Sequence, residues 1–141
     1  MSIQTVLFPL FAEVALTFLV MFGMMYHRTF ALKRGETRFE QIALREPNWP
    51  ARPTQFANAF ANQFELPVLF YVLTILAIIT RHADILFVVM AWIFVLCRVG
   101  QAYVHVTTND VRYRGLIYFI GAMVLVLMWV IFAVRILLGL P

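Results

Sequence analysis

Apolar residues dominate four long stretches of the chain, and the only extended polar segment lies between the first and the second. The stretches cover residues 5 to 26, 57 to 79, 84 to 105 and 115 to 137. Each reaches the ~20 residues that an α-helix needs to cross the hydrocarbon core of a bilayer. The pattern therefore predicts an all-α integral membrane protein, a four-helix bundle forming a single domain over residues 1 to 141.

Composition supports the membrane assignment, because 63% of the 141 residues are apolar and only 13% are charged. A soluble domain of this size could not bury so much apolar surface. The first stretch has no basic residue before Arg28, so it lacks the start of a signal peptide and is expected to be a retained helix. The single cysteine, Cys97, excludes a disulfide framework and a CxxC redox pair.

Lysine and arginine are concentrated in two segments between the stretches. The loop from 28 to 56 contains six of the chain's 11 lysine and arginine residues, and Arg112 and Arg114 precede the fourth stretch. The positive-inside rule predicts that both segments face the cytoplasm and that both termini lie on the other side. The same basic surface would also attract anionic lipid headgroups or an anionic solute.

The loop from 28 to 56 is expected to form a short amphipathic helix from Thr37 to Arg45. Prolines then break it, and Trp49 between them is expected at headgroup depth.

Three polar residues interrupt the second stretch at helical spacing. Asn58, Asn62 and Glu65 follow the pattern i, i+4, i+7, so they lie on one face of the helix. Pro67 has no N–H for the carbonyl of Gln63, which predicts a bend beside Glu65.

The third stretch carries a matching polar face. Arg98, Gln101 and His105 stand at i, i+3, i+7. At ~1.5 Å per residue, Glu65 and Arg98 lie ~13 Å and ~10 Å below the basic boundary of the membrane. Because an unpaired buried charge costs ~3–5 kcal/mol, we predict that Glu65 pairs with Arg98. The alternative is that these polar groups only fix the register of the helices.

Arg114 and Tyr118, at i and i+4, begin the fourth helix at the same end of the bundle. With Asn62, Gln101 and His105 they predict a basic, polar cavity between helices that opens to the cytoplasm. Counted from the opposite boundary, Glu13 lies ~12 Å deep on the first helix and Arg135 ~6 Å deep on the fourth, and we expect Glu13 to meet Arg135 or a polar group of a neighbouring subunit.

Two segments carry a resemblance to a known family. The segment "NQFELP" in the second helix has the pattern N-x-x-E-x-P, and "RVGQAYVHVTTNDVRYRGLIYF" contains R-x-x-x-x-x-x-H and an arginine that opens the fourth helix. Together with the four helices and the long first loop, these motifs resemble the MAPEG family, the membrane-associated proteins in eicosanoid and glutathione metabolism.

The resemblance implies a homotrimer that binds glutathione between subunits near the cytoplasmic face. It implies a glutathione transferase or a related thiol-dependent enzyme, which activates the thiol for transfer to a small lipophilic electrophile. Its partners would be other copies of the chain and membrane lipids, with no nucleic acid. Arg114 is the implied catalytic residue, and the implied glutathione-binding residues are Arg28, Asn58, Asn62, Glu65, Arg98, Gln101, His105 and Tyr118.

Several positions depart from the family pattern. Asn58 and Phe60 occupy positions where an arginine and a histidine are usual. Gln101 replaces a common histidine, His105 a common tyrosine, and Gly115 a serine found in some members. The "HVTTND" segment is similar to a bacterial branch, which implies a bacterial inner membrane, and a non-catalytic member is one alternative.

Two other classes of protein remain as alternatives. The segment "FAEVALTFL" places Glu13 as in small multidrug transporters, where such a carboxylate exchanges protons for cations. Those transporters lack a loop like 28 to 56. A haem-binding cytochrome that uses His27 and His105 is the other alternative.

Overall fold

The computed structural model describes all 141 residues and contains only helices, turns and loops. The elements are α1 Ile3–Lys33, a 3₁₀ turn Phe39–Gln41, α2 Ala51–Asn62, α3 Leu66–Ile79, α4 Ile85–Val106 and α5 Val111–Leu138. Four runs are long and apolar enough to cross a membrane: α1, α2 together with α3, α4, and α5. The predicted all-α architecture with four spans is confirmed.

The first two spans extend beyond their predicted boundaries. Helix α1 has 31 residues, or about 46 Å at ~1.5 Å per residue, so it is longer than the ~30 Å hydrocarbon core. Helix α2 begins at Ala51 instead of residue 57. Pro53 is tolerated there because the first turn of a helix has no internal partner for its N–H groups.

The second span is interrupted where a bend was predicted. Helix α2 ends at Asn62, and α3 begins at Leu66 with Pro67 in its first turn. Glu65 lies in the interruption, with φ −95° and ψ −105°, outside the helical region. The bend beside Glu65 is therefore confirmed, and the helix breaks completely because Pro67 cannot continue the hydrogen-bond ladder.

The predicted amphipathic helix from Thr37 to Arg45 was wrong. Only the short turn Phe39–Gln41 forms, and Arg45 adopts a left-handed conformation with φ 63° that ends any helix. The loop instead folds back on itself, since the Thr37 hydroxyl donates to the Asn48 carbonyl at 3.0 Å.

Helix α4 lies at the centre of the bundle and supplies much of the core. Phe94 and Val95 on α4 pack with Phe70 and Leu73 of α3 and with Leu125 of α5, and all five are at most 2% exposed. The most completely buried charged side chains, Glu13 and Arg98, lie beside this apolar core. The fold therefore places a charged pair inside the bundle, at the border of the polar region described below.

The helix directions give the bundle two distinct ends. We call the end that carries residues 34–50 and 107–110 the basic end, and the end that carries both termini and residues 80–84 the terminal end. Helices α1 and α4 run towards the basic end, whereas α2, α3 and α5 run away from it.

Asp84 and Arg135 form an ion pair at the terminal end, with Oδ2 and Nη1 2.7 Å apart. The predicted contact between Glu13 and Arg135 was therefore wrong. Asp84 precedes α4 and lies outside the four spans. Burial raises the pKa of its carboxyl, but hydrogen bonds from the Phe87 N–H and from Arg135 outweigh burial, and the pKa lies below its ordinary value.

Candidate functional site

A polar cavity of about 480 Å³ opens at the basic end, between α2, α4 and α5. Its walls are formed by Asn58, Ala61, Asn62, Glu65, Gln101, His105, Arg114, Gly115 and Tyr118. Seven of the nine site residues predicted from the sequence lie here together. Only Arg28 and Arg98 lie outside this lining.

Helical spacing explains why these side chains meet. One face of α2 supplies Asn58 and Asn62, and Glu65 joins them from the interruption before α3. One face of α4 supplies Gln101 and His105, which are only 3% and 7% exposed and form the floor of the cavity. Asn58 and Glu65 are exposed at its rim, so the cavity is open on one side in the single chain.

Arg98 lies beneath the cavity and contacts two of its lining residues. Its Nη2 donates to the backbone carbonyl of Asn62 at 3.0 Å, and its Nη1 donates to Oε1 of Gln101. The Asn62 carbonyl is available because α2 ends there, and the last carbonyls of a helix have no partner within it. Arg98 therefore caps the broken helix and fixes the position of Gln101.

The predicted pair between Glu65 and Arg98 was wrong, because Arg98 pairs with Glu13. The Arg98 Nε and Glu13 Oε1 atoms are 4.0 Å apart, and the two side chains are 2% and 0% exposed. The Arg98 guanidinium has no Glu65 carboxylate oxygen within 4.0 Å, and it donates instead to the Asn62 carbonyl and to Gln101.

Arg114 projects into the cavity from the first turn of α5. Its Nη1 donates to the Asn109 Oδ1 at 2.6 Å, and no carboxylate oxygen lies within 4.0 Å. Asn109 adopts a left-handed backbone conformation, with φ 52°, in the turn that joins α4 to α5. Sequence reasoning missed Asn109, although an asparagine in a tight turn is a common way to place a side-chain amide beside a helix start.

Arg28 lines a neighbouring cavity of about 570 Å³ that shares Asn58 with the polar cavity. Its guanidinium lies 4.9 Å from the centre of the Trp49 ring. The buried Nε of Arg28 has no hydrogen-bond partner. Arg28 thus lies beyond Asn58, where it can contact a ligand that extends out of the polar cavity.

An apolar groove of about 540 Å³ lies between α3 and α5. It is lined by Leu66, Leu69, Ala122, Leu125, Val126, Trp129, Val130 and Ala133. Leu66 follows Glu65 directly, and Ala122 stands one helical turn after Tyr118. The apolar groove and the polar cavity are therefore adjacent.

The two histidines of the haem hypothesis do not share a site. His105 lines the polar cavity, whereas His27 lines a different cavity at the end of α1. No three histidine, cysteine, aspartate or glutamate side chains lie close enough together to bind a metal ion.

Comparison with known proteins agrees with the motifs and the helices. A family model described as the MAPEG family matches residues 6–134, nearly the whole chain. No curated protein and no solved structure gave a significant match. Since this match covers nearly the whole chain and the structure has four helices able to cross a membrane, the chain belongs to the MAPEG family.

Proposed function

We propose that this protein binds glutathione in the polar cavity and transfers it to lipophilic electrophiles that occupy the apolar groove. The observation that supports the proposal most directly is that the polar cavity and the apolar groove are adjacent. Glu65 and Tyr118 line the cavity, and Leu66 and Ala122 continue the same two elements into the groove. A water-soluble thiol and a membrane-dissolved electrophile would thus meet at this border.

The polar groups match the charges of glutathione, which has two carboxylates, an ammonium group and a thiol. Glu65 offers a carboxylate to the ammonium group. Arg28, beyond Asn58, offers a guanidinium to one glutathione carboxylate, a favourable bidentate partner. Arg98, which we expected to contact glutathione, would act through Asn62 and Gln101 because its own side chain is buried.

Arg114 is the residue best placed to activate the thiol. It lacks a carboxylate partner, so its positive charge is available to stabilise a thiolate and lower the pKa of the thiol. The thiol would release its proton to water, and the sulfur would form a bond to the electrophilic carbon. The leaving group would depart with the electron pair of the bond that breaks.

We further propose that the chain functions as a homotrimer in a bacterial inner membrane, with the basic end in the cytoplasm. The exposure of Asn58 and Glu65 supports the assembly, because a neighbouring subunit would close the open side of the cavity. The concentration of arginines at the basic end supports the orientation.

The test compares Arg114→Ala with Arg112→Ala. Arg112 carries the same charge two residues away but is exposed and does not line the cavity. Glutathione binding to detergent-purified protein would be measured by calorimetry, and conjugation by absorbance with 1-chloro-2,4-dinitrobenzene. We expect Arg114→Ala to lose at least about tenfold in conjugation, or ~1.4 kcal/mol in transition-state stabilisation, with little change in thermal stability.

Three results would contradict the proposal: no glutathione binding by the natural chain, equal loss of activity in both variants, or equal loss of activity and stability in Arg114→Ala. Binding of glutathione and of its S-methyl derivative without any conjugation would instead support a non-catalytic member of the family. The replacements at Phe60 and Gln101 favour this second candidate.

A further inference from the structure

A third cavity, of about 340 Å³, lies at the basic end where α1 ends and α2 begins. We call it the α1–α2 cavity, and it shares no residue with the polar cavity or with the apolar groove. It is lined by Tyr26, His27, Phe30, Ala31, Arg34, Glu36, Pro50, Arg52 and Pro53. None of the groups proposed to bind glutathione lies in it.

The charged groups of this cavity are not paired with one another. Arg34 and Arg52 both line it, and neither has a carboxylate oxygen within 4.0 Å, although Glu36 lines the same cavity. The two guanidinium groups lie beside aromatic rings, with Arg34 5.4 Å from the Phe30 centroid and Arg52 5.5 Å from the Phe56 centroid. Two cations and one carboxylate leave a net charge of +1, which one phosphodiester would neutralise.

An apolar stripe leads along α1 to the mouth of this cavity. Phe18, Phe22 and Tyr26 recur every four residues, so they lie on one face of the helix, and they are 51%, 59% and 58% exposed. Exposed apolar side chains on a membrane-spanning helix are in a position to contact lipid acyl chains. The stripe ends at Tyr26, which is also a lining residue of the cavity.

We propose that the α1–α2 cavity binds the phosphate group of an anionic membrane lipid whose acyl chain lies along the Phe18–Tyr26 stripe. Arg34 and Arg52 donate charge-assisted hydrogen bonds to the phosphate oxygens, a role for which the planar guanidinium is suited. Tyr26, where the stripe meets the cavity, would place its aromatic ring between the headgroup and the acyl chain. The bound lipid would link the end of α1 to the start of α2.

The experiment measures lipid binding to detergent-purified protein by native mass spectrometry. Phosphatidylglycerol is compared with phosphatidylcholine, and glycerol phosphate is added separately to represent a soluble phosphate. The test variant is Arg34→Gln/Arg52→Gln. The matched control is Arg38→Gln/Arg112→Gln, which removes the same charge from two exposed arginines outside the cavity.

We expect the natural protein to prefer phosphatidylglycerol, and each arginine removed from the cavity to weaken its binding about fivefold. The control variant should stay within about twofold of the natural protein, allowing for general surface attraction. A second variant, Arg34→Lys/Arg52→Lys, retains the charge but not the planar donors and should show an intermediate loss. This lysine variant also replaces the glutamine variant as the test if the glutamine variant does not fold.

Equal losses in the test and control variants would overturn the proposal, because binding would then depend on the diffuse charge of the basic end. So would the absence of any preference for phosphatidylglycerol. Glycerol phosphate binding as tightly as the lipid would show a soluble phosphate site in which the apolar stripe has no part. These readouts do not depend on glutathione, so they separate this proposal from the proposed transferase activity.

Discussion

The buried pair of Glu13 and Arg98 provides a sharp test of the packing inside the bundle. Neither carboxylate oxygen of Glu13 has a hydrogen-bond partner, and Arg98 is its only cation within 4.0 Å. Arg98 has two further partners, Gln101 and the Asn62 carbonyl. Removing Arg98 therefore leaves Glu13 with no partner, whereas removing Glu13 leaves Arg98 with two hydrogen bonds.

The distance sets the scale of the coupling. At 4.0 Å, two unit charges attract by ~4 kcal/mol at an effective dielectric constant of ~20, before desolvation is subtracted. Arg98→Leu leaves Glu13 buried without a partner, so we expect a loss of ~3–5 kcal/mol in the free energy of unfolding. Glu13→Gln leaves Arg98 its two hydrogen bonds, and we expect a smaller loss of ~2–3 kcal/mol.

The double variant Glu13→Gln/Arg98→Leu should lose ~1–3 kcal/mol less free energy of unfolding than the two single variants lose together. The reason is that each single variant leaves an unpaired buried charge, which is absent when both residues are changed. The free energy of unfolding would be measured by SDS-induced unfolding in detergent micelles. The matched control is the cycle of Glu65→Gln with Arg98→Leu, which should be additive within ~0.5 kcal/mol because Glu65 is exposed. Additive losses for Glu13 and Arg98, or a larger coupling for Glu65, would refute the assigned pair.

Two further predictions concern the terminal end and the packing of α1 on α2. Because the pKa of Asp84 is lowered in the folded protein, its carboxylate stabilises the fold above the unfolded pKa of ~3.9, and this contribution is lost as the pH falls through the lower folded pKa. The unfolding temperature of the natural protein should therefore fall more steeply below about pH 4 than that of Asp84→Asn. Equal slopes would show that the pair with Arg135 contributes nothing. Gly23→Ala should destabilise the protein by ~1–3 kcal/mol, because the added Cβ would collide with the Phe56 ring, while Gly100→Ala should be neutral or stabilising because its nearest neighbour is 4.0 Å away. Chemical denaturation of both glycine variants would check this, and equal effects would contradict the packing argument.

The spacing of polar residues in the sequence was enough to predict the composition of the polar cavity. Asn58 and Asn62 on α2, and Gln101 and His105 on α4, repeat at helical intervals within apolar runs, and such residues must face protein or water. The periodicity along a single helix is a local property of the sequence. Which residues share a face can therefore be predicted without knowing how the helices tilt and pack. The four spans were predictable from the length of the apolar runs, which is also a local property of the sequence.

The partners of the buried charges were not predictable from depth alone. The depth of Glu13 was counted from the outer boundary of the first apolar stretch, but α1 has 31 residues and is longer than the ~30 Å hydrocarbon core, so residue counting does not fix the depth of Glu13. The estimate also compared depths only on the second and third helices, whereas the partner of Arg98 is Glu13 on α1. The loop helix from Thr37 to Arg45 failed for a different reason, since hydrogen bonds between distant parts of the loop compete with local helix formation.

The break in the second span, the buried arginine and the polar cavity depend on one another. Helix α2 ends at Asn62, shortly before Pro67, and the Asn62 carbonyl accepts a long turn hydrogen bond of 3.4 Å from the Glu65 N–H. Arg98 supplies a second donor to this carbonyl at 3.0 Å, and Glu13 on α1 provides the opposite charge that a buried guanidinium requires. The wall of the cavity formed by α2 is thus held in place from α1 through α4, and a change at Glu13 should reach the site by moving Arg98.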